Sequence, residues 1–579
     1  MASSSLVLSG EQGEGGRPRH RLDFSAVAFT LVAFCLVLLV AMPVGWLLWY
    51  SVTNDQGQFA FANYAAWVTD PSLRAAAGIT VAIALSVALL SALVALPLAL
   101  LTARTDVPFR YMIRAAITAS FVTPPFLGAV AWEVLAAPNS GLLNVWARQI
   151  FGLGRDQHAF NIYTVAGVIF AITWYTFPYV FILVVNAFER IPTELEDASA
   201  IMGANWWRTA RAITIPLVLP AILAGTLVAF LQALTNFGTP AILALPAGFN
   251  TLTTKIWSLF QYPPQAHLAA AISIPLLLAT ALLLWGQRRL LGNRSFVVIG
   301  PRSGVTHQIR LGVWRVPALL FSVFVMLFPV VLPYLALFKI AFVRNISSPL
   351  SWQNLSLEHV RFTLFSISDT QAALKNTILL GVLTATIVTA IVMVTGYAAS
   401  RRLVPGHRLL AMLAMAPLAV PGIVMGVGLF LVYTRPPLML YGTIWIVLVA
   451  FVTLEMPGGY QQVQVGMSGL HPELEEASRI FGATRLRALL NITAPLLRST
   501  IVSTWCIVFI GALRELSAAI LLTNANTQTV SVVIYNLNES GDVGPIAVLG
   551  ILLMLITFIM IILVHRLSLL SGGRTGVSA

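Results

Sequence analysis

The sequence predicts an all-α integral membrane protein of about twelve transmembrane helices, arranged as two parallel six-helix repeats. Composition, the recurrence of apolar runs and a long internal match predict it. Of 579 residues, 58% are apolar and 9% charged, against roughly a half and a quarter in a soluble domain. That balance excludes a water-soluble fold. Apolar runs of about twenty residues, the length that crosses a bilayer, recur from Val27 to Val564. Cys35 and Cys506 both lie inside such runs, so neither a disulfide framework nor a cysteine-based metal site is available. The formal charge of +13 is carried by basic residues set singly or in pairs between the runs. They mark topology, and nucleic acid is not an expected partner.

Taken in order, the apolar windows place helices near 27–49, 76–101, 113–136, 164–186, 217–237 and 268–286, then near 314–340, 376–399, 409–432, 442–462, 499–522 and 544–565. The first span follows a polar segment containing Arg17, Arg19 and Arg21; it is too long for a signal-peptide core and lacks a small-residue cleavage site, so it reads as a retained helix. Of the 34 Lys and Arg, 24 fall on one side of this arrangement, including Arg104, Arg110 and Arg114, Arg208 and Arg211, and Arg401, Arg402 and Arg408. The positive-inside rule makes that side, and both termini, cytoplasmic. The chain divides into a tail (1–26), a first six-helix half (27–286), a cytoplasmic linker (287–313), a second half (314–566) and a second tail (567–579).

Self-comparison supports the division. Glu194-Leu-Glu-Asp-Ala-Ser-Ala-Ile-Met-Gly-Ala204 matches Glu473-Leu-Glu-Glu-Ala-Ser-Arg-Ile-Phe-Gly-Ala483 at an offset of 279, and the match continues through Arg208 and Arg487 to Pro216 and Pro495. Upstream, Arg104, Pro108 and Pro124 align with Arg401, Pro405 and Pro421 at an offset of 297. The first half therefore carries 18 extra residues, most simply in the external loop around 137–163. Six spans per half bring both halves in from the same side, as a parallel repeat requires.

Each matched segment lies between the fourth and fifth span of its half. It reads acidic-Ala-Ser, three residues, Gly, nine residues, Ile-x-x-Pro, from Asp197 to Pro216 and from Glu476 to Pro495. Physically this is a short amphipathic helix starting near Pro192 or Pro472 with acidic residues at its positive dipole end, then a break at Gly203 or Gly482 and a basic second helix. Apolar positions such as Leu195, Ile201 and Met202 suit docking into a groove of another protein.

The two segments resemble the EAA loop of the permease subunits of binding-protein-dependent ABC importers, a likeness that extends over essentially the whole chain as two fused halves. Asp197 stands where that family usually has Glu, and Ser199 and Ser478 hold the third position. The resemblance implies the type I ABC importer permease fold in a bacterial inner membrane. It implies as partners two copies of a cytoplasmic ATPase, which bind the ATP and Mg, and a periplasmic or extracellular solute-binding protein. Glu196, Asp197, Ala198 and Gly203, with Glu475, Glu476, Ala477 and Gly482, become the ATPase-coupling residues. Asn236-Phe-Gly-Thr-Pro-Ala-Ile242, Arg514-Glu-Leu-Ser-Ala-Ala-Ile520 and Val532-Val-Ile-Tyr-Asn-Leu537 with Glu539-Ser-Gly541 resemble the iron(III) permeases. Relatives importing phosphonate, sugar phosphate, thiamine or polyamine share much of this pattern.

A phosphate loop needs Lys after Gly, and Lys255, Lys339 and Lys375 all lack it, so this chain is expected to carry no ATP-hydrolysing site, no cofactor and no enzymatic role. Its eight His show no metal-binding pair spacing. A secondary transporter with six-plus-six repeats is the rival class, but its Gly-containing marker loop is missing from Ala103-Arg-Thr-Asp-Val-Pro-Phe-Arg110. Charges inside spans mark the expected pathway. Arg514 and Glu515 fall in the eleventh apolar run, where an unpaired charge costs about 2.5–3.5 kcal/mol. Glu515 and its repeat mate Asn236 are expected to face each other near the axis between the halves, with Arg514 turned away toward a partner in its own half. Glu455 and Glu133 are further candidates.

Overall fold

The computed structural model describes residues 24–154, 156–191, 193–261, 263–291, 309–344, 351–403, 406–471 and 473–572. Most of the expected N-terminal tail and linker, the last residues, and Pro192 and Pro472 lie outside the described residues. Among the described residues the fold is helical, with three isolated bridges as its only strand pairing. Nine helices are long and apolar enough to cross a membrane, and twelve spans result when each of three bent helix pairs is one span. Each half then holds six: Phe29–Ser51, Pro71–Arg104, Arg110–Val122 with Pro125–Ala136, Val165–Glu189, Trp207–Leu234 and Ala266–Arg289; then Gly312–Phe342, Ser368–Ser400, His407–Ala419 with Gly422–Tyr433, Ile444–Ser468, Leu489–Leu496 with Arg498–Arg514, and Val543–Leu563.

The apolar windows near 113–136 and 409–432 are not continuous helices. The third span bends by 99° and the ninth by 112°, at the repeat mates Pro124 and Pro421. The cause is local: a residue before proline is driven out of helical conformation, and Thr123 and Val420 are both extended. Windows near 217–237 and 499–522 are also too long. The fifth span ends at Leu234 and the eleventh at Arg514, each followed by a break and a short helix, Gly238–Leu243 or Ala519–Leu522. Between Ala136 and Val165 the first half carries an extra helix, Leu142–Phe151, whereas the second half passes from Tyr433 to Ile444 through a short turn.

The halves exchange their first spans. Span one packs on span six of its own half and reaches across to spans eight, nine and ten, and span seven packs on span twelve and reaches across to spans three and four. Backbone chemistry explains part of the first contact. In an α-helix the Leu39 carbonyl would accept from residue 43, which is a proline without an N–H. A π-helical turn over Val37–Ala41 precedes that proline, and Thr453 Oγ1 of span ten donates to the Leu39 carbonyl at 3.4 Å. Tyr433 Oη donates to the Leu38 carbonyl at 3.1 Å. A backbone acceptor freed inside a bilayer needs such a donor. On the other side, Tyr334 Oη lies 2.6 Å from Thr123 Oγ1, and the Phe328 ring stacks on Trp174 with centroids 4.9 Å apart.

Gly428 lies close against the exchanged span one: a Cβ there would sit 2.9 Å from the Pro43 carbonyl oxygen, whereas one on Gly45 would meet nothing within 4 Å. Gly428→Leu is therefore expected to destabilise the detergent-solubilised chain by about 1–3 kcal/mol, read as a lower melting midpoint, while Gly45→Leu leaves the midpoint unchanged.

Candidate functional site

The two motif segments form helices Thr193–Ile201 and Glu473–Ile480, each with acidic residues in its first turn. Both end at a glycine in the left-handed region, Gly203 at φ +82° and Gly482 at φ +87°, where side chains are strained. On the outward face Ile201 is 87% exposed and Phe481 91% exposed, with Leu195, Met202, Leu474 and Ile480 also exposed. Asp197, Ala198, Glu476 and Ala477 are exposed with them. These residues are available to a partner.

Glu196 and Glu475, expected among the coupling residues, turn inward. Glu196 pairs with Arg104 and accepts from Thr214 Oγ1 at 2.9 Å. Glu475 pairs with Arg401 at 3.0 Å and accepts from Thr493 Oγ1 at 2.9 Å. Each arginine also donates to the carbonyl that closes span four or ten, Arg104 to Ile191 at 3.5 Å and Arg401 to Leu470 at 3.1 Å. Sequence reasoning took Arg104 and Arg401 for topology markers and passed over both threonines. A signal was present, since each of these residues recurs at its repeat mate.

The second group lies where the breaks of the two halves meet. Asn236 and Glu515 both sit in the break after their span, outside any helix. Asn236 Oδ1 accepts from the Thr239 amide at 3.1 Å and Glu515 Oε1 from the Ala518 amide at 2.9 Å. Asn236 thus serves an amide in the first turn of the short helix that follows, and Glu515 the amide of the residue leading into its own. The breaks of the two halves touch: a Cβ on Gly238 would lie 3.4 Å from Leu516 Cδ2. Arg514 does not stay within its own half, because its guanidinium lies 6.0 Å from the Phe121 ring centroid of the first half. Arg514 and Glu455 both lie close enough to Tyr179 to act on it electrostatically, with Gln232 beside it, and Arg514 and Glu515 act in the same way on Glu455. The cluster is asymmetric. At the repeat offset of 279, Glu455 replaces Thr176, Glu515 replaces Asn236 and Gly511 replaces Gln232. Gly511 leaves the space that the Glu455 carboxylate fills.

Away from these breaks, aromatic rings pack between the halves. Leu252 and Val530 are equivalent, since each backbone amide accepts the same support from span two or eight, donating to Thr80 Oγ1 at 2.8 Å or Thr377 Oγ1 at 2.9 Å. Five residues on, Trp257 meets Tyr535 edge-on at 5.9 Å, and Phe237 lies 6.3 and 6.5 Å from those two rings. Eight residues on, Phe260 packs on Phe430 at 5.2 Å. Its counterpart Asn538 instead lies beside Glu133, which accepts from Tyr163 Oη at 2.7 Å. Among the described residues no group of three or more His, Cys, Asp or Glu could hold a metal ion.

Residues 95–292 and 391–569 match the family described as binding-protein-dependent transport system inner membrane component. The chain is 26% identical to the ferric transport system permease protein FbpB of Actinobacillus pleuropneumoniae over 453 residues, 76% of this chain and 63% of that protein. It is 26% identical to the putative ferric transport system permease protein FbpB 1 of Haemophilus influenzae over 418 residues, 70% of this chain and 63% of that one. A putative 2-aminoethylphosphonate transport system permease protein PhnV of Salmonella paratyphi A is 27% identical over 165 residues, 28% of this chain and 62% of that protein. In each case the chain spans less than two thirds of the relative's length.

The Gly511 cavity gives a double-mutant test. Gly511→Ala is expected to lower the melting midpoint of the purified chain, because its methyl would overlap the Glu455 carboxylate. In a Glu455→Ala background the same methyl enters vacated space, so the two changes together are expected to cost at least about 0.5 kcal/mol less than their sum.

Proposed function

Because the chain belongs to the family of binding-protein-dependent transport system inner membrane components, we propose that it is the transmembrane subunit of an ABC importer for ferric iron. Two copies of a separate cytoplasmic ATPase, holding ATP and Mg, drive it, and an external binding protein delivers the cargo. Both termini lie in the cytoplasm with the coupling helices. The multi-pass helical fold and the two exposed, glycine-terminated helices support the transport reading. Asp197, Ala198 and Gly203, with Glu476, Ala477 and Gly482, form the coupling surface.

Iron is carried by one observation. The two ferric relatives align with this chain over 453 and 418 residues, through both of its halves. The chemistry between the halves agrees with it, since Asn236, Gln232, Tyr179, Glu455 and Glu515 offer oxygen donors, the class a hard cation prefers. Asn236 and Glu515 hold the broken helices in register at the closed end of the path, and Glu455 with Arg514 sets the charge beneath them.

Cargo is tested in a cell lacking its own ferric importers that expresses the chain with its ATPase and binding protein. Radioactive ferric iron is expected to accumulate, and to stop accumulating when the ATPase is inactivated. Accumulation of 2-aminoethylphosphonate without iron would overturn the cargo while keeping the transport reading. Coupling is tested by Gly482→Val. A β-branched side chain at φ +87° is strained by about 1–3 kcal/mol, so the variant is expected to insert normally but to lose co-purification with the ATPase and to abolish uptake.

A further inference from the structure

We infer that Arg104 and Arg401 are positioning residues that make each coupling helix a rigid part of its own half, and that Glu196 and Glu475 serve this lock instead of contacting the ATPase. The inference rests on the transport reading for its purpose and on geometry for its existence. Four elements converge on each carboxylate: the end of span two or eight through the arginine, the coupling helix itself, the end of span four or ten through a backbone carbonyl, and the start of span five or eleven through a threonine. The four participants of one lock are the repeat mates of the four in the other, at offsets of 297 for the arginines and 279 for the rest.

A coupling helix needs such a tether. Helices of eight or nine residues are marginal alone, and these two end at glycines whose surroundings are open. Their outward faces are exposed, so little apolar burial holds them. Arg104 is almost wholly buried, at 1% exposure, and a planar guanidinium can address a carboxylate and a carbonyl together, which a lysine ammonium on its flexible stem does less well. A displacement of the coupling helix is thereby passed to three spans at once. One of them, span five or eleven, ends at the Asn236 or Glu515 break. The first lock is braced further by the linker: the Ile309 amide donates to the Arg104 carbonyl at 2.8 Å and the Leu311 amide to Asp106 Oδ1 at 2.9 Å. The second borders a cleft lined by Tyr397, Arg402, Glu476 and Arg485.

The test uses the full chain assembled with its ATPase and binding protein in proteoliposomes and reads cargo moved per ATP hydrolysed. Arg401→Lys and Glu475→Gln are expected to lower that ratio about tenfold, the scale of one charge-assisted hydrogen bond, with the ATPase still co-purifying. Thr493→Val is expected to lower it less, and Thr493→Ser to restore it. An unchanged ratio overturns the lock, as does loss of ATPase co-purification in Glu475→Gln, which would make Glu475 a direct contact. A second reading needs no ATPase: spin labels at Ile480→Cys and Leu409→Cys, in the chain lacking Cys35 and Cys506, are expected to give one narrow distance distribution that Glu475→Gln or Thr493→Val broadens. Equal widths overturn the lock even if the wild-type chain retains no ATPase, an outcome that would count against the transport reading separately.

Discussion

A short helix lying outside the bilayer can transmit force only if something holds it, and here a carboxylate turned back toward the spans does so. Removing charges from water is costly, and a buried ion pair adds little net stability compared with a well-packed apolar contact. Its value lies in geometry. The paired oxygens accept from an arginine and a threonine on different elements, so the helix has one orientation relative to spans two, four and five or their counterparts. The exposed apolar residues on its far side can then act as fixed points on a lever.

Within the bilayer the governing constraint is the backbone. Prolines free carbonyls and break helices, and each freed group must find a donor from protein. The structure meets this need across the halves, with Thr453 and Tyr433 serving the carbonyls of the exchanged span one. Where the halves meet, the breaks after spans five and eleven are closed by their own side chains, Asn236 and Glu515. Apart from the extra helix Leu142–Phe151, the two-fold repeat therefore holds in architecture and only partly in chemistry. Neutral polar groups line the first half, while Glu455, Arg514 and Glu515 charge the second.

Much of this was legible in the residues. Twelve spans, the parallel repeat, the extra loop near 137–163 and the two glycine-ended segments all follow from periodicity and self-comparison. Hydropathy windows report composition but not direction, so they ran through the bends at Pro124 and Pro421, although the alignment of those two prolines was a visible clue. They also placed Glu515 inside a helix that ends at Arg514. Exchange of the first spans left no trace, because a lipid-facing helix reads the same whichever neighbour it packs on. Glu196 and Asp197 are adjacent acids, the first half-buried and the second exposed, and only the partners Arg104 and Thr214 tell them apart.

The central claim is that two locked cytoplasmic helices carry the ATPase contact. It is tested most directly by placing a photo-activated cross-linking amino acid at Ile201 and at Ile480, with Phe59 as the control on the opposite side of the membrane. Irradiation of membranes containing the chain and its ATPase should give a permease–ATPase adduct from both helices and none from Phe59. Absence of adduct from both helices, with the ATPase shown to be present at the membrane, would contradict the account.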